Sequence, residues 1–333
     1  MDLTLSGGLV RAGERARERF YDSSGYGHVE NGGALTLAPV EAAHLLYRGD
    51  IDSVDGMDVR ALLSSAVVSE VAFFVYKDLR DRGFYLTPAR EGWVDEPEGI
   101  DFVVYPRGNG PWDDTVEYRV RVVGERDTVP AREVGDCVLA VVDEESEITY
   151  LETDRPAVEG TSDASVPAVE GDLLAERVLC WDPPTELYER AFYGQRLDDE
   201  GAVQLSLLEA TYLARDGSLT VDGGAEAVLE RGREVEGERF DRRLTAYSTL
   251  RERGVVPKTG FKFGSDFRTY ADVDSVEDLG HSELLVRVLP ATHTFDPRDL
   301  ALDVRLAHGV RKRMVFALVG DGVEWLSVAR LTP

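Results

Sequence analysis

Between Leu205 and Arg215 apolar residues recur at helical spacing, and Asp216-Gly217 supplies the glycine stop favoured at helix C-termini. Ala225 to Arg253 reads as one long, charge-rich helical region stopping at Gly254. Val59 to Arg82 reads the same way but is far more apolar, and stops at Gly83. Ser282 to Leu289 reads as a strand ended by Pro290, and Pro297 opens a helix running to about Val310. Met314–Val319 and Val323–Ala329 read as two strands joined by Gly320-Asp321-Gly322, a hairpin turn. Val138–Val142 and Ile148–Leu151 flank an acidic tip, Asp143-Glu144-Glu145-Ser146-Glu147. The pattern predicts an α/β (α+β) protein.

The pattern also repeats. Gly33-Ala34-Leu35-Thr36-Leu37-Ala38-Pro39-Val40-Glu41-Ala42 matches Gly201-Ala202-Val203-Gln204-Leu205-Ser206-Leu207-Leu208-Glu209-Ala210 at an offset of 168. Tyr76–Gly83 matches Tyr247–Gly254 at 171, Asp101–Tyr105 matches Asp266–Tyr270 at 165, and Val120–Val122 matches Val286–Val288 at 166. Four blocks in one order indicate a duplication, and a period of this size makes each unit a domain. Residues 152–171, polar, acidic and punctuated by Pro156, Gly160 and Pro167, read as the linker between repeats 1–151 and 172–333.

Composition fits this picture and removes several classes. With 333 residues, 43% of them apolar, the chain can bury two cores. No apolar run approaches the ~18–20 uncharged residues of a membrane span. The stretch Ala61–Tyr76 carries Glu70, and Met1-Asp2-Leu3 lacks the basic start of a signal peptide. Cys137 and Cys180 are too few for a disulfide scaffold or a zinc ribbon, and Cys180 reads as a small buried hydrophobe. A reducing, cytoplasmic setting and no membrane are expected.

The net charge is −26, and lysine occurs only at Lys77, Lys258, Lys262 and Lys312, leaving 33 arginines. Such a balance argues against a nucleic-acid partner in an ordinary cytoplasm. In concentrated salt, however, self-repulsion is screened, and a dense acidic surface is an adaptation that says little about the ligand. Local basic clusters then matter more than the sum.

Those clusters lie in the second unit, in GFKFGSDFRTYADVDSVEDLGHSELLVRV from Gly260 and in DVRLAHGVRKRMVFALV from Asp303. By repeat alignment Tyr270 keeps a partner in Tyr105, whereas His281 falls near Thr115 and Lys312 near Gly135. One copy keeps the frame and lacks the polar set, which suggests an active copy and a structural copy.

GFKFGSDFRTY, HSELLVRVL and RLAHGVRKRMVFALV resemble the catalytic domain of archaeal tRNA-splicing endonucleases, and the doubled chain resembles their two-repeat homodimeric form. The resemblance implies that each repeat is a small N-terminal α/β subdomain followed by a mixed-sheet nuclease subdomain. It implies a Tyr270–His281–Lys312 triad, no cofactor or metal, and precursor tRNA with a bulge–helix–bulge as substrate. It further implies that Arg305 and Arg330 sandwich a bulge base, and that Asp143, Glu144, Glu145 and Glu147 form a plug docking into a basic pocket of the partner subunit.

The triad also makes chemical sense. The 2′-hydroxyl of RNA can attack its own phosphate, so cleavage needs a base, an acid for the leaving oxygen and positive charge at phosphorus. A histidine suits the acid role and a lysine the charge role. A tyrosine base needs nearby cations, or acts by positioning. Singly, each residue has a plain structural explanation: packing for Tyr270, a solvated loop for His281, and helix-end charge complementarity for Arg311-Lys312-Arg313. Two other functions stand beside this one. A metal-dependent nuclease would draw on Asp266, Asp272, Asp274, Glu277, Asp278 and Glu283, but no Asp/Glu-x-Lys pair follows His281 in its strand. A non-catalytic RNA-binding subunit would not need the intact triad. A phosphate-binding glycine loop is absent from the sequence.

Overall fold

Cys137–Val142 is apolar and buried at every position, as expected of a strand covered on both faces. Its counterpart Arg313–Val319 is buried from Met314 through Leu318. These two anchor a ten-stranded sheet running 256–259, 267–270, 284–290, 313–319, 323–331, 148–154, 137–142, 118–124, 102–104, 86–88. A computed structural model describes residues 1–13, 15–197 and 201–333 of the chain. Each repeat contributes five strands with a single parallel pair, 118–124 with 137–142 and 284–290 with 313–319. The halves join where Ile148–Asp154 pairs antiparallel with Val323–Leu331, so two domains share one sheet.

Register reproduces the repeat residue by residue. Phe102 faces Val120 as Phe267 faces Val286, and Val120 faces Val138 as Val286 faces Val315. Thr87 faces Val103 as Lys258 faces Arg268. The equivalences follow: Thr87 with Lys258, Val103 with Arg268, Tyr105 with Tyr270, and Gly135 with Lys312.

The crossovers between the parallel strands differ. In the second repeat it is the helix Pro297–Gly309, capped by Asp296 accepting from the Arg298 amide. In the first it shrinks to the short strand Val129–Pro130 and a single turn, Ala131–Glu133. Leu300, Val304 and Ala307 of that one helix therefore pack in a core with Leu139 and Leu151 as well as Phe316 and Leu326. On the opposite face Glu70–Asp81 and Glu238–Glu252 each pack on their own repeat's strands. Smaller sheets of five and four strands complete the N-terminal part of each repeat. Among the described residues no helix is long and apolar enough to cross a membrane.

Three expectations need adjustment. The helical region 225–253 is two helices, Gly224–Glu236 and Glu238–Glu252, because Gly237 takes φ 63° and ψ −147°. The chain folds back there so tightly that a Cβ on Gly232 would lie 2.2 Å from the Phe240 ring. Val59–Arg82 likewise divides into Val59–Ser64 and Glu70–Asp81, each restarted by a side-chain cap, Asp58 and Ser69. Of residues 152–171, Glu152–Asp154 extend the strand that joins the repeats. The following segment lies on the second repeat, where the amides of Gly160, Thr161 and Ser162 donate to carbonyls of Arg253, Ala271 and Gly254. Polar composition marked a linker, yet its backbone groups find partners on the neighbouring turn.

A buried glutamate is duplicated as well. Glu41 accepts from the amides of Gly27 and Ala38, and Glu209 from those of Gly194 and Ser206. Burial pushes Glu41 up to about 7 despite its two amide donors. Burial works the same way on Glu209, but the Lys258 ammonium 3.1 Å away and the hydrogen bonds outweigh it and hold the carboxyl below its usual range. Replacing Lys258 with Met strands that carboxylate, and an expected loss of about 3–5 kcal/mol should appear in denaturant unfolding in high salt.

Candidate active site

One step beyond the pair Thr269–Leu284, Tyr270 lies level with Glu283; one step beyond Leu284–Arg313, Glu283 lies level with Lys312; and Lys312 lies level with Arg330. Four adjacent strands thus present Tyr270, Glu283, Lys312 and Arg330 in a row at one end of the sheet. At the usual ~4.8 Å between strands, Tyr270 and Lys312 are ~10 Å apart along the backbone.

Local structure then aims each group. Tyr270 is buried, its ring edge-on to Phe192 at 5.7 Å, and its hydroxyl makes no hydrogen bond among the described residues. Tyr105 in the first repeat has its hydroxyl taken by Thr87 at 2.9 Å. Lys312 follows the end of the helix Pro297–Gly309. There Arg311 takes φ 56° and the Lys312 amide donates to the Ala307 carbonyl, reversing the chain into its strand. The Lys312 ammonium donates to both the carbonyl and the hydroxyl of Ser282, the residue next to exposed His281. Burial, and then nearby Arg268, lower its pKa from the ordinary lysine value. The helix itself is tied to the sheet by an ion pair between Arg287 and buried Asp303.

Tyr270 and Lys312 therefore lie at one sheet end, and His281 stands in the segment entering the strand between them. Ser282 was not anticipated, although it adjoins the histidine in the HSELL motif. Arg305 and Arg330 are both exposed and form no ion pair among the described residues. In the acidic tip, Asp143 accepts the amides of Glu145 and Glu147 and so builds the turn, while Glu144 pairs with Arg126 at 2.6 Å and Glu145 is exposed. Asp266, a candidate metal carboxylate, is occupied by Arg239, Arg243 and the Val288 amide. Cys180 is fully buried, and burial pushes its thiol up to about 11.

Beside Tyr270, between the small sheet and the edge of the large one, lies a cleft of about 530 Å³ lined by Arg243, Lys258, Arg268 and Phe192. Three of the chain's four lysines, Lys258, Lys262 and Lys312, lie in this part of the molecule.

The profile of the tRNA intron endonuclease catalytic C-terminal domain matches residues 240–325, and that of its N-terminal domain matches residues 1–63 and again 169–231. A tRNA-splicing endonuclease of Haloarcula marismortui is 74% identical over the full length of both chains. The chain belongs to the tRNA intron endonuclease family. Further relatives of that name include one from Haloferax volcanii, 57% identical over 99% of each chain, and one from Methanosarcina acetivorans, 38% identical over 99% of each. The family's N-terminal domain occurs once per repeat of this endonuclease, as the duplication requires. The matched catalytic span of the enzyme includes Tyr270, His281 and Lys312.

Proposed function

We propose that this enzyme excises introns from precursor tRNA at bulge–helix–bulge sites without a metal, in a cytoplasm rich in salt. The observation that carries the reading is the Lys312 ammonium held on Ser282, beside His281 and in register with Tyr270, in one repeat and not in the other. In the reaction the 2′-oxygen forms a bond to phosphorus as the bond from phosphorus to the 5′-oxygen breaks. Tyr270 takes or orients the 2′-proton, His281 gives a proton to the departing 5′-oxygen, and Lys312 stabilises the phosphorane charge. The products are a 2′,3′-cyclic phosphate and a 5′-hydroxyl.

Exposed Arg305 and Arg330 grip a bulge base by stacking their guanidinium planes on it. Two chains pair two-fold, each inserting its acidic tip into a basic pocket of the partner; the exposed carboxylate of Glu145, which forms no ion pair among the described residues, supports this.

Incubating the protein with intron-containing precursor tRNA in high salt plus EDTA tests the chemistry. Undiminished cleavage with cyclic-phosphate and 5′-hydroxyl ends is expected; loss of activity in EDTA, or 3′-hydroxyl ends, favours the metal-dependent reading. Light scattering should give about twice the 36.8 kDa chain mass, and reversing the charges of Asp143, Glu144 and Glu145 should lower both that mass and the cleavage rate.

A further inference from the structure

We propose that Arg268 is a fourth catalytic residue, whose guanidinium binds a non-bridging oxygen of the scissile phosphate beside Lys312; this rests on the phosphate-transfer reading above. Arg268 stands two residues before Tyr270, on the same face of the same strand, with its guanidinium 5.8 Å from the Tyr270 ring centre. It is near enough to Lys312 to disfavour that ammonium's charge, and it faces Lys258 across the strand pair.

Besides lying against Tyr270, it lacks a counter-charge. The chain holds 63 carboxylates, and nearby Arg239, Arg243 and Arg287 are each paired with one. Arg268 forms no ion pair among the described residues, and its buried Nε has no hydrogen-bond partner. Lys258 is neutralised by Glu209, whereas Arg268, beside Tyr270, and Lys312 form no ion pair among the described residues. Two like charges near one another are costly in the free protein, and a phosphate arriving between them offsets that cost. A guanidinium offers the flat paired donors that suit phosphate oxygens, where lysine offers a point charge.

The internal repeat supplies an independent argument. At the position equivalent to Arg268 the first copy has Val103, just as it has Thr115 for His281 and Gly135 for Lys312. Arg268 is absent from the copy that also lacks the acid and the lysine.

The cleft also borders Arg268, so the competing role is to receive a carboxylate from the partner's acidic tip. Single-turnover cleavage at saturating protein in high salt separates the two, using Arg268→Gln and Arg268→Lys. Arg268→Gln should slow cleavage by roughly 10²–10³-fold, by analogy with loss of an oxyanion donor. Affinity for precursor tRNA carrying a 2′-deoxy nucleotide at the cut site should fall far less than the rate, since one phosphate contact of many is lost, and the mass by light scattering should stay at the wild-type value. Arg268→Lys should recover part of the rate and serves if the glutamine variant folds poorly by circular dichroism. Replacing a non-bridging scissile oxygen with sulfur should slow the wild type, and one of the two diastereomers should slow Arg268→Gln much less, since the contact is already gone.

A loss under threefold, or sulfur effects that simply add for both diastereomers, overturns the proposal. So does a rate restored by raising protein concentration along with a halved mass, which would assign Arg268 to the dimer contact. If instead the wild type cleaves the 2′-deoxy substrate or requires a metal, it is the phosphate-transfer reading that fails, whatever Arg268 does.

Discussion

Precursor tRNA with hydrogen in place of the 2′-hydroxyl at the cut site should be bound but not cut. The nucleophile belongs to the substrate, so its removal stops the reaction entirely, whereas protein variants only slow it. The bulge geometry and the phosphates that provide most of the binding energy are unchanged, so affinity should move little. Gel-shift binding and cleavage assays on the same labelled RNA check both halves. Residual cleavage at the modified linkage would mean that water attacks phosphorus, and the roles assigned to Tyr270 and His281 would have to be abandoned.

Truncating the acid and the cation should give the largest losses among protein variants. His281→Ala removes the proton donor to the leaving 5′-oxygen, with an expected loss of roughly 10²–10⁴-fold in single-turnover rate. Lys312→Ala removes the phosphorane's counter-charge, at roughly 10²–10³-fold. Exposed His281 has few neighbours to disturb, and Lys312 contacts chiefly Ser282, so both variants should fold. Tyr270→Phe tells proton transfer, a large loss, from ring positioning, a small one. The control lies in the same chain: Tyr105 has its hydroxyl occupied by Thr87, and Tyr105→Phe should leave the rate nearly unchanged. Equal damage at Tyr105 and Tyr270 would reverse the assignment of active and structural copies.

Several of the proposed site residues stand out in the sequence because the repeat acts as an internal control. Where the frame of one copy recurs in the other, a polar residue present once stands out, and His281 and Lys312 stand out that way. Arg268 stood out less, since FRTY aligned with FVVY shows an arginine against valine in a segment already rich in charge. Its meaning depends on what does not touch it, and a missing counter-charge has no signature in sequence. Ser282 escaped because a serine beside a histidine is unremarkable until a lysine ammonium 30 residues away is found on it.

Helices, strands, turns and the duplication itself were legible because each is written in neighbouring residues. Periodicity spans a few turns, Gly217 closes its helix at φ 87°, and Gly320–Gly322 turns its hairpin. The break at Gly237 was missed for the same local reason, since a lone glycine inside a charged helical pattern is tolerated until Phe240 folds back over Gly232. Only tertiary structure decided that the two copies share one ten-stranded sheet through Ile148–Asp154 and Val323–Leu331, that the helix Pro297–Gly309 covers both, and that Tyr270, Lys312 and Arg330 lie level across a run of four strands. Those facts depend on strand register between segments far apart in the chain. Register is set by the burial of whole faces at once, so no short window of residues contains it.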